Sequence, residues 1–143
     1  VANRSINDKQ KVLDIIKSME LESISEILST LTNRWFTDNF IKKNKSIVDQ
    51  RIQQVVDTNP EVFLNVFRIY AETEMISWLK NISHPCLVMT GENDLGCSPT
   101  HNKKISSELI NSKLVIIPDV KHSILLEKPY ETAKNILKFL LNL

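Results

Sequence analysis

Glycine is scarce in this sequence, whose 143 residues contain two, Gly91 and Gly96. An average composition would supply about ten. Two glycines at these positions cannot form the G-x-G-x-x-G turn of a dinucleotide site or the Walker A loop of a phosphate site. They also cannot form the G-x-S-x-G turn that carries a nucleophilic serine. An enzyme of any of these classes would need glycines from outside these residues.

The sequence also has no large excess of positive or negative charge. Eighteen basic residues against 17 acidic ones leave a net charge of +1, which creates no field that would attract nucleic acid or an anionic membrane surface. Two cysteines, Cys86 and Cys97, cannot build the disulfide framework of a small secreted domain. No apolar run approaches the roughly 20 residues of a membrane span, and no signal peptide opens the chain. We therefore expect a soluble, cytoplasmic protein that binds neither nucleic acid nor membrane.

The first 80 residues predict a series of helices. Apolar residues recur at helical spacing within 12–19, 24–31, 37–56 and 60–70, and a shorter helical segment covers 75–82. Glycine and proline are absent from these segments except for Pro60, which stands at a helix start. This part of the chain is therefore predicted to be all-helical.

From His84 onward the pattern changes to strands alternating with helices. Residues 86–90 and 114–117 are short, continuous apolar runs, which are typical of buried parallel strands, and helices are predicted at 99–109 and 129–141. This order predicts an α/β protein with a parallel sheet. Two strands are too few, because an isolated pair is marginally stable and leaves an edge unpaired. The remainder of the sheet must come from another chain or from a removed N-terminal part.

An ionisable side chain follows each predicted strand, Asp94 the first and His122 the second. Functional groups collect in the loops after the carboxyl ends of parallel strands. An acid followed by a histidine is the last two-thirds of the Ser…Asp…His order of α/β-hydrolases. His122 would take the proton of a nucleophile, and Asp94 would fix the tautomer of the ring. We therefore expect a carboxylate oxygen of Asp94 within hydrogen-bonding distance of the ring. The alternative is that Asp94 caps a turn and His122 is a surface histidine.

Three motifs resemble those of the α/β-hydrolases, and within that fold the closest resemblance is to the 3-oxoadipate enol-lactonase group and related small esterases. Residues 91–94 match the G-x-x-D acid motif, and residues 122–129 match the H-x4-E-x-P segment after the catalytic histidine. Residues 34–37 are similar to an R-W-F-T sequence that leads into a cap helix in that group. The resemblance implies a helical cap at 1–83 and the C-terminal βαβα part of the core at 84–143.

The resemblance also implies roles and partners. Asp94 would be the acid and His122 the base, and Trp35 would line the substrate pocket unless it belongs to the core of the cap. The implied reaction is hydrolysis of a small ester or lactone through an acyl-enzyme, without a cofactor. The nucleophile, a serine or less often a cysteine or aspartate, would lie on an upstream segment of the same hydrolase, so that the chain alone is inactive. The sequence departs from the family pattern at Lys121, because the residue before the histidine is usually small in this family.

Two further hypotheses compete with this interpretation. Cys97, His101 and Asp94 could contact a metal, but zinc sites use three or four ligands at recognisable spacing, and we predict no metal. The chain could also be a non-catalytic helical interaction module in which Asp94 and His122 are structural. A G-x-S-x-G sequence encoded directly upstream, between a strand and a helix, would favour the enzyme over the module.

Overall fold

The helical first part of the chain is present as predicted, with one additional break. The computed structural model describes residue 2, residues 4–21 and residues 24–143. The helices before the sheet are α1 (Ile6–Leu21), α2 (Ile24–Trp35), α3 (Asp38–Lys43), α4 (Lys45–Val56), α5 (Pro60–Glu72) and α6 (Ile76–Leu79).

The break between α3 and α4 corrects the prediction of one helix over 37–56. It falls at Asn44, whose backbone leaves the helical region at φ −128° and ψ 42°. Both the backbone N–H and the side-chain amide of Asn44 donate to Phe40 O. Asparagine side chains form local bonds of this kind to the backbone, and asparagine is therefore favoured at helix ends over helix interiors.

The second part of the chain contains the predicted strands and one helix that the sequence did not reveal. Its elements are β1 (Cys86–Gly91), α7 (Pro99–Glu108), β2 (Ser112–Ile117), α8 (Ile124–Glu127) and α9 (Pro129–Leu140). Helix α8 has four residues, too few to show a helical period in the sequence. Proline at the first position of α7 and of α9 has a backbone angle preset for a helix.

The two strands pair in parallel and end level with each other. Their register runs from Cys86 opposite Ser112 to Gly91 opposite Ile117. In the part of the chain that the structure describes, they form a two-stranded sheet. Because parallel strands with this register end at the same edge, the loops that follow Gly91 and Ile117 begin side by side.

By its internal contacts the chain divides into two units. One contains residues 34–37 and 74–143 together with Ala2, and the other contains residues 4–33 and 38–73. The assignment of 1–83 to a cap therefore stays a prediction. In the helical unit α1 packs against α5, and Arg4 stacks over the ring of Tyr70 at 4.3 Å. None of the helices in the described ranges is long and apolar enough to cross a membrane.

Candidate active site

The loop after β1 folds around the carboxylate of Asp94. Its Oδ1 accepts hydrogen bonds from the backbone N–H of Gly96 at 2.8 Å and of Cys97 at 2.9 Å. The backbone N–H of Asp94 donates back to Gly91 O at 3.2 Å. An aspartate that binds backbone N–H groups two and three residues on stabilises a turn by itself. Asp94 is 5% exposed, so this turn holds a buried carboxylate in one orientation.

Two buried polar side chains fix the far end of this loop. The hydroxyl of Thr90 and the amide of Asn102 each donate to Cys97 O at 2.7 Å. Thr90 is 3% exposed and Asn102 is 8% exposed. These contacts could not be predicted from the sequence, because the spacing of a polar residue in a strand or a helix does not identify its partner. They tie the acid loop to β1 and to α7.

The loop after β2 carries His122 and packs closely on the end of β1. The backbone N–H of Asn93 donates to Val120 O at 2.9 Å, and Val120 is fully buried. Asp119 adopts a left-handed conformation at φ 56°, and its N–H donates to the side chain of Glu92 at 3.1 Å. Aspartate tolerates this conformation better than most residues, so the chain can turn sharply here.

Gly91 allows this close approach. A methyl group on Gly91 would lie 2.0 Å from Lys121 O and 2.5 Å from Val120 O, where no atom fits. The long side chain of Lys121 does not prevent tight packing, because its backbone oxygen is the atom that approaches. One of the two glycines of the sequence therefore stands where a side chain is impossible.

The two loops bring Asp94 and His122 into direct contact. His122 Nδ1 lies 2.7 Å from Asp94 Oδ2, which meets the distance expected from the sequence. The side chain of Asp94 is 4% exposed and that of His122 is 49% exposed. The acid is thus buried behind a histidine ring that faces outward.

The electrostatics of this pair follow from the same contacts. Burial raises the pKa of Asp94, but the hydrogen bonds from His122, Cys97 and Gly96 and the charge of His122 outweigh it and lower the pKa below its ordinary value. The carboxylate is therefore ionised at neutral pH and can only accept a hydrogen bond, so Nδ1 carries the proton. In the neutral ring, Nε2 is then the nitrogen with a free lone pair, the state of a general base.

The segment before α3 lies against the histidine loop. The backbone N–H of Ser123 donates to Trp35 O at 2.9 Å, so Trp35 is held next to the residue that follows His122. Trp35 is half-buried, and its role as a pocket-lining residue stays a prediction.

Glu127, at the end of α8, has a partner that the sequence did not reveal. Its carboxylate accepts from the backbone N–H of Thr37 at 3.2 Å and from the hydroxyl of Thr37 at 2.5 Å. Ninety positions separate the two residues along the chain. Residue spacing alone therefore cannot predict the contact.

A metal could be held by a different set of residues from the one considered in the sequence. Ligand atoms of Asp94, Cys97 and His122 lie within 4.8 Å of one another. His101 contacts Ser98 Oγ through Nδ1 at 3.2 Å instead. Both oxygens of Asp94 already accept hydrogen bonds, Oδ1 from backbone N–H groups and Oδ2 from His122.

Comparison with known sequences gives relatives of one kind. The chain is 25% identical over 113 residues to 3-oxoadipate enol-lactonase 1 of Acinetobacter baylyi, a match that spans 79% of this chain and 42% of that protein. It is 24% identical over 108 residues to 3-oxoadipate enol-lactonase 2 of the same organism. No protein-family model matches. The chain spans less than half the length of these curated relatives.

Solved structures share the fold at low sequence identity. An enol-lactonase from Burkholderia xenovorans superposes with a TM-score of 0.86 at 18% identity, covering 90% of this chain and 49% of that one. A thermophilic esterase from Thermogutta terrifontis superposes with a TM-score of 0.83 at 20% identity, covering 99% of this chain and 52% of that one. About half of each of these structures therefore has no counterpart in the 143 residues.

Proposed function

Because this chain has the fold of the C-terminal part of an α/β-hydrolase, as its sequence predicted, we propose that it supplies the acid and the base for hydrolysis of an ester or lactone. The nucleophile and the oxyanion-hole donors would lie outside these 143 residues. The observation that carries the proposal is the 2.7 Å contact between Asp94 Oδ2 and His122 Nδ1, made by loops that follow adjacent parallel strands.

The proposed reaction uses the outward-facing nitrogen of His122. Nε2 takes the proton of a nucleophilic hydroxyl as the oxygen attacks the carbonyl carbon of the substrate. The imidazolium that forms is stabilised by the ionised Asp94. Nε2 then gives the proton to the departing alkoxide, which leaves an acyl-enzyme. Water, deprotonated by the same nitrogen, releases the acid and restores the nucleophile.

The substrate class rests on the resemblance and on the names of the relatives, which include enol-lactonases and an esterase. Both classes require the same proton transfers, because a lactone is a cyclic ester whose leaving alkoxide stays attached to the acyl group. We assign Trp35 to the wall of the substrate pocket, since its backbone oxygen binds the N–H of Ser123, directly after the proposed base.

The proposal is tested by restoring the missing part. The chain is produced alone and together with the segment encoded directly upstream, and both preparations are assayed with a short-chain ester and an enol-lactone. We expect no turnover by the chain alone and turnover by the pair. His122→Ala should lower kcat by about 10⁶-fold and Asp94→Asn by about 10⁴-fold, the losses expected when the base or the acid of such a triad is removed.

His101→Ala is the matched control, because His101 lies in the same unit and contacts Ser98 rather than Asp94. It should change kcat by less than about twofold, as expected for a residue away from the reacting atoms. Turnover by the chain alone that His122→Ala abolishes would mean that the nucleophile lies within these residues. A chain that neither binds the upstream segment nor gains activity would favour the interaction module.

A further inference from the structure

The ring of His122 has little packing of its own to hold it in place. Its side chain is 49% exposed, and its hydrogen-bonding partner among the described residues is Asp94. A half-exposed imidazole can rotate away from such a partner unless the backbone that carries it is fixed. The position of Nδ1 therefore depends on what holds the loop on either side of His122.

On the side before His122, the loop is fixed by the two residues that directly follow β1. Asn93 N–H binds Val120 O at 2.9 Å, and Glu92 N–H binds Ile117 O at 2.8 Å. On the side after His122, the contacts go to a distant segment of the chain, residues 34–37. Ser123 N–H binds Trp35 O at 2.9 Å, and the end of α8 binds this segment through Glu127.

The contact of Glu127 with Thr37 is the strongest of these. The carboxylate accepts the backbone N–H of Thr37 on both oxygens at 3.2 Å and the hydroxyl at 2.5 Å. Hydrogen bonds to a charged acceptor are about twice as strong as neutral ones. Phe36, between the two residues that make these contacts, is fully buried, so its side chain also fixes the segment in the core.

The same segment also lies beside the acid loop. A methyl group on Gly96 would be 3.6 Å from Asp94 Oδ1 and 3.8 Å from Arg34 Nη2. The guanidinium of Arg34 is therefore next to the turn that holds Asp94. Residues 34–37 thus lie against both loops of the acid–base pair, the acid loop at Arg34 and the base loop at Trp35 and Thr37.

We propose that Glu127 and Thr37 are positioning residues, which hold the Ser123–Glu127 turn against residues 34–37 and thereby keep His122 Nδ1 on Asp94. This inference rests on the proposed function, because it gives the pair a purpose in that reaction. Neither residue touches the reacting atoms. Their effect is on the fraction of time that the base is correctly placed and in the Nδ1–H tautomer.

The test uses the 143-residue chain and does not depend on activity. Nitrogen–proton NMR of the histidine rings measures the tautomer of His122 and the exchange of its Nδ1–H with water. Glu127→Gln and Thr37→Val should speed this exchange about tenfold or more, the factor that one hydrogen bond to a charged group contributes. Thr37→Ser retains the hydroxyl and should restore the slow exchange of the unaltered chain.

Glu131→Gln is the matched control, because Glu131 lies in α9 and approaches Lys128 at 4.0 Å instead of residues 34–37. It should leave the exchange unchanged. If Glu127→Gln does not fold, the comparison of Thr37→Val with Thr37→Ser decides, since both retain the backbone N–H bond to Glu127. If Glu127→Gln and Thr37→Val lower the melting temperature but leave the Nδ1–H exchange unchanged, the proposal is overturned. The contact between Glu127 and Thr37 would then be purely structural. Failure of the proposed hydrolysis in the reconstituted enzyme would not alter this readout, so the two failures can be told apart.

Discussion

Replacement of Gly91 by alanine is the sharpest perturbation that the structure offers. The added methyl group would lie 2.0 Å from Lys121 O, whereas real contacts of this kind stay beyond about 3.0 Å. The loop that carries His122 must therefore move by about 1 Å. If the shift lies along the bond between His122 Nδ1 and Asp94 Oδ2, it lengthens their distance from 2.7 Å to about 3.7 Å, beyond hydrogen-bonding distance.

The expected magnitude follows from both effects. Overpacking against backbone costs about 1–3 kcal/mol, and the lost hydrogen bond to a charged group costs about 1.5–3 kcal/mol more. We expect the free energy of unfolding of Gly91→Ala, measured by urea denaturation, to fall by about 3 kcal/mol or more. In the enzyme reconstituted with the upstream segment, a 1 Å misplacement of the base should lower kcat about 10²-fold.

Gly96→Ala is the matched control in the neighbouring turn. Its methyl group would meet Asp94 Oδ1 at 3.6 Å and Arg34 Nη2 at 3.8 Å, which are ordinary contacts. Gly96 also has no left-handed backbone angle that a side chain would strain. The free energy of unfolding should change by less than about 1 kcal/mol. Equal stability of the two variants, with the His122 Nδ1–H resonance retained in both, would refute the reasoning about close approach at Gly91.

Two further outcomes are expected from the isolated chain. The pKa of Asp94 is lower in the folded than in the unfolded chain, so its stabilising contribution is complete above pH about 4 and is lost as the pH falls through the lowered value. Asp94→Asn should therefore flatten the acid-side dependence of the free energy of unfolding on pH, and unchanged slopes in titrated urea denaturation would contradict this. Phe36→Ala should cost about 3–5 kcal/mol, because the ring is fully buried. Tyr130→Ala is the control, because Tyr130 is 78% exposed, and it should cost less than about 1 kcal/mol. Similar urea midpoints for these two variants would show that Phe36 does not anchor its segment.

The sequence predicted the contact of Asp94 with His122 because that contact follows from a local rule. Each residue stands just after a short apolar run, and parallel strands place their carboxyl ends at the same edge of a sheet. The catalytic roles of the two residues remain predictions. The geometry, in contrast, needed only two strand assignments and one rule of topology.

The contacts that support this pair could not be predicted in the same way. Glu127 and Thr37 meet across 90 positions, and nothing in the spacing of either residue identifies the other. Helix α8 has four residues, about one helical turn, and the break at Asn44 occurs without glycine or proline. Each of these features is decided by tertiary contacts, which sequence periodicity does not encode.

The division of the chain into discontinuous units limits how it can be cut. Residues 34–37 belong to the unit of the sheet, although the sequence on both sides of them belongs to the helical unit. A peptide of residues 74–143 would retain both strands, Asp94 and His122, but it would lack Phe36 and the partners of Ser123 and Glu127. A protease that cuts within 38–73 would leave every residue of the sheet unit intact. The residues of this unit would then be divided between two fragments. Complementation of fragments 1–37 and 74–143 therefore retains this unit, whereas truncation to its longest continuous piece does not.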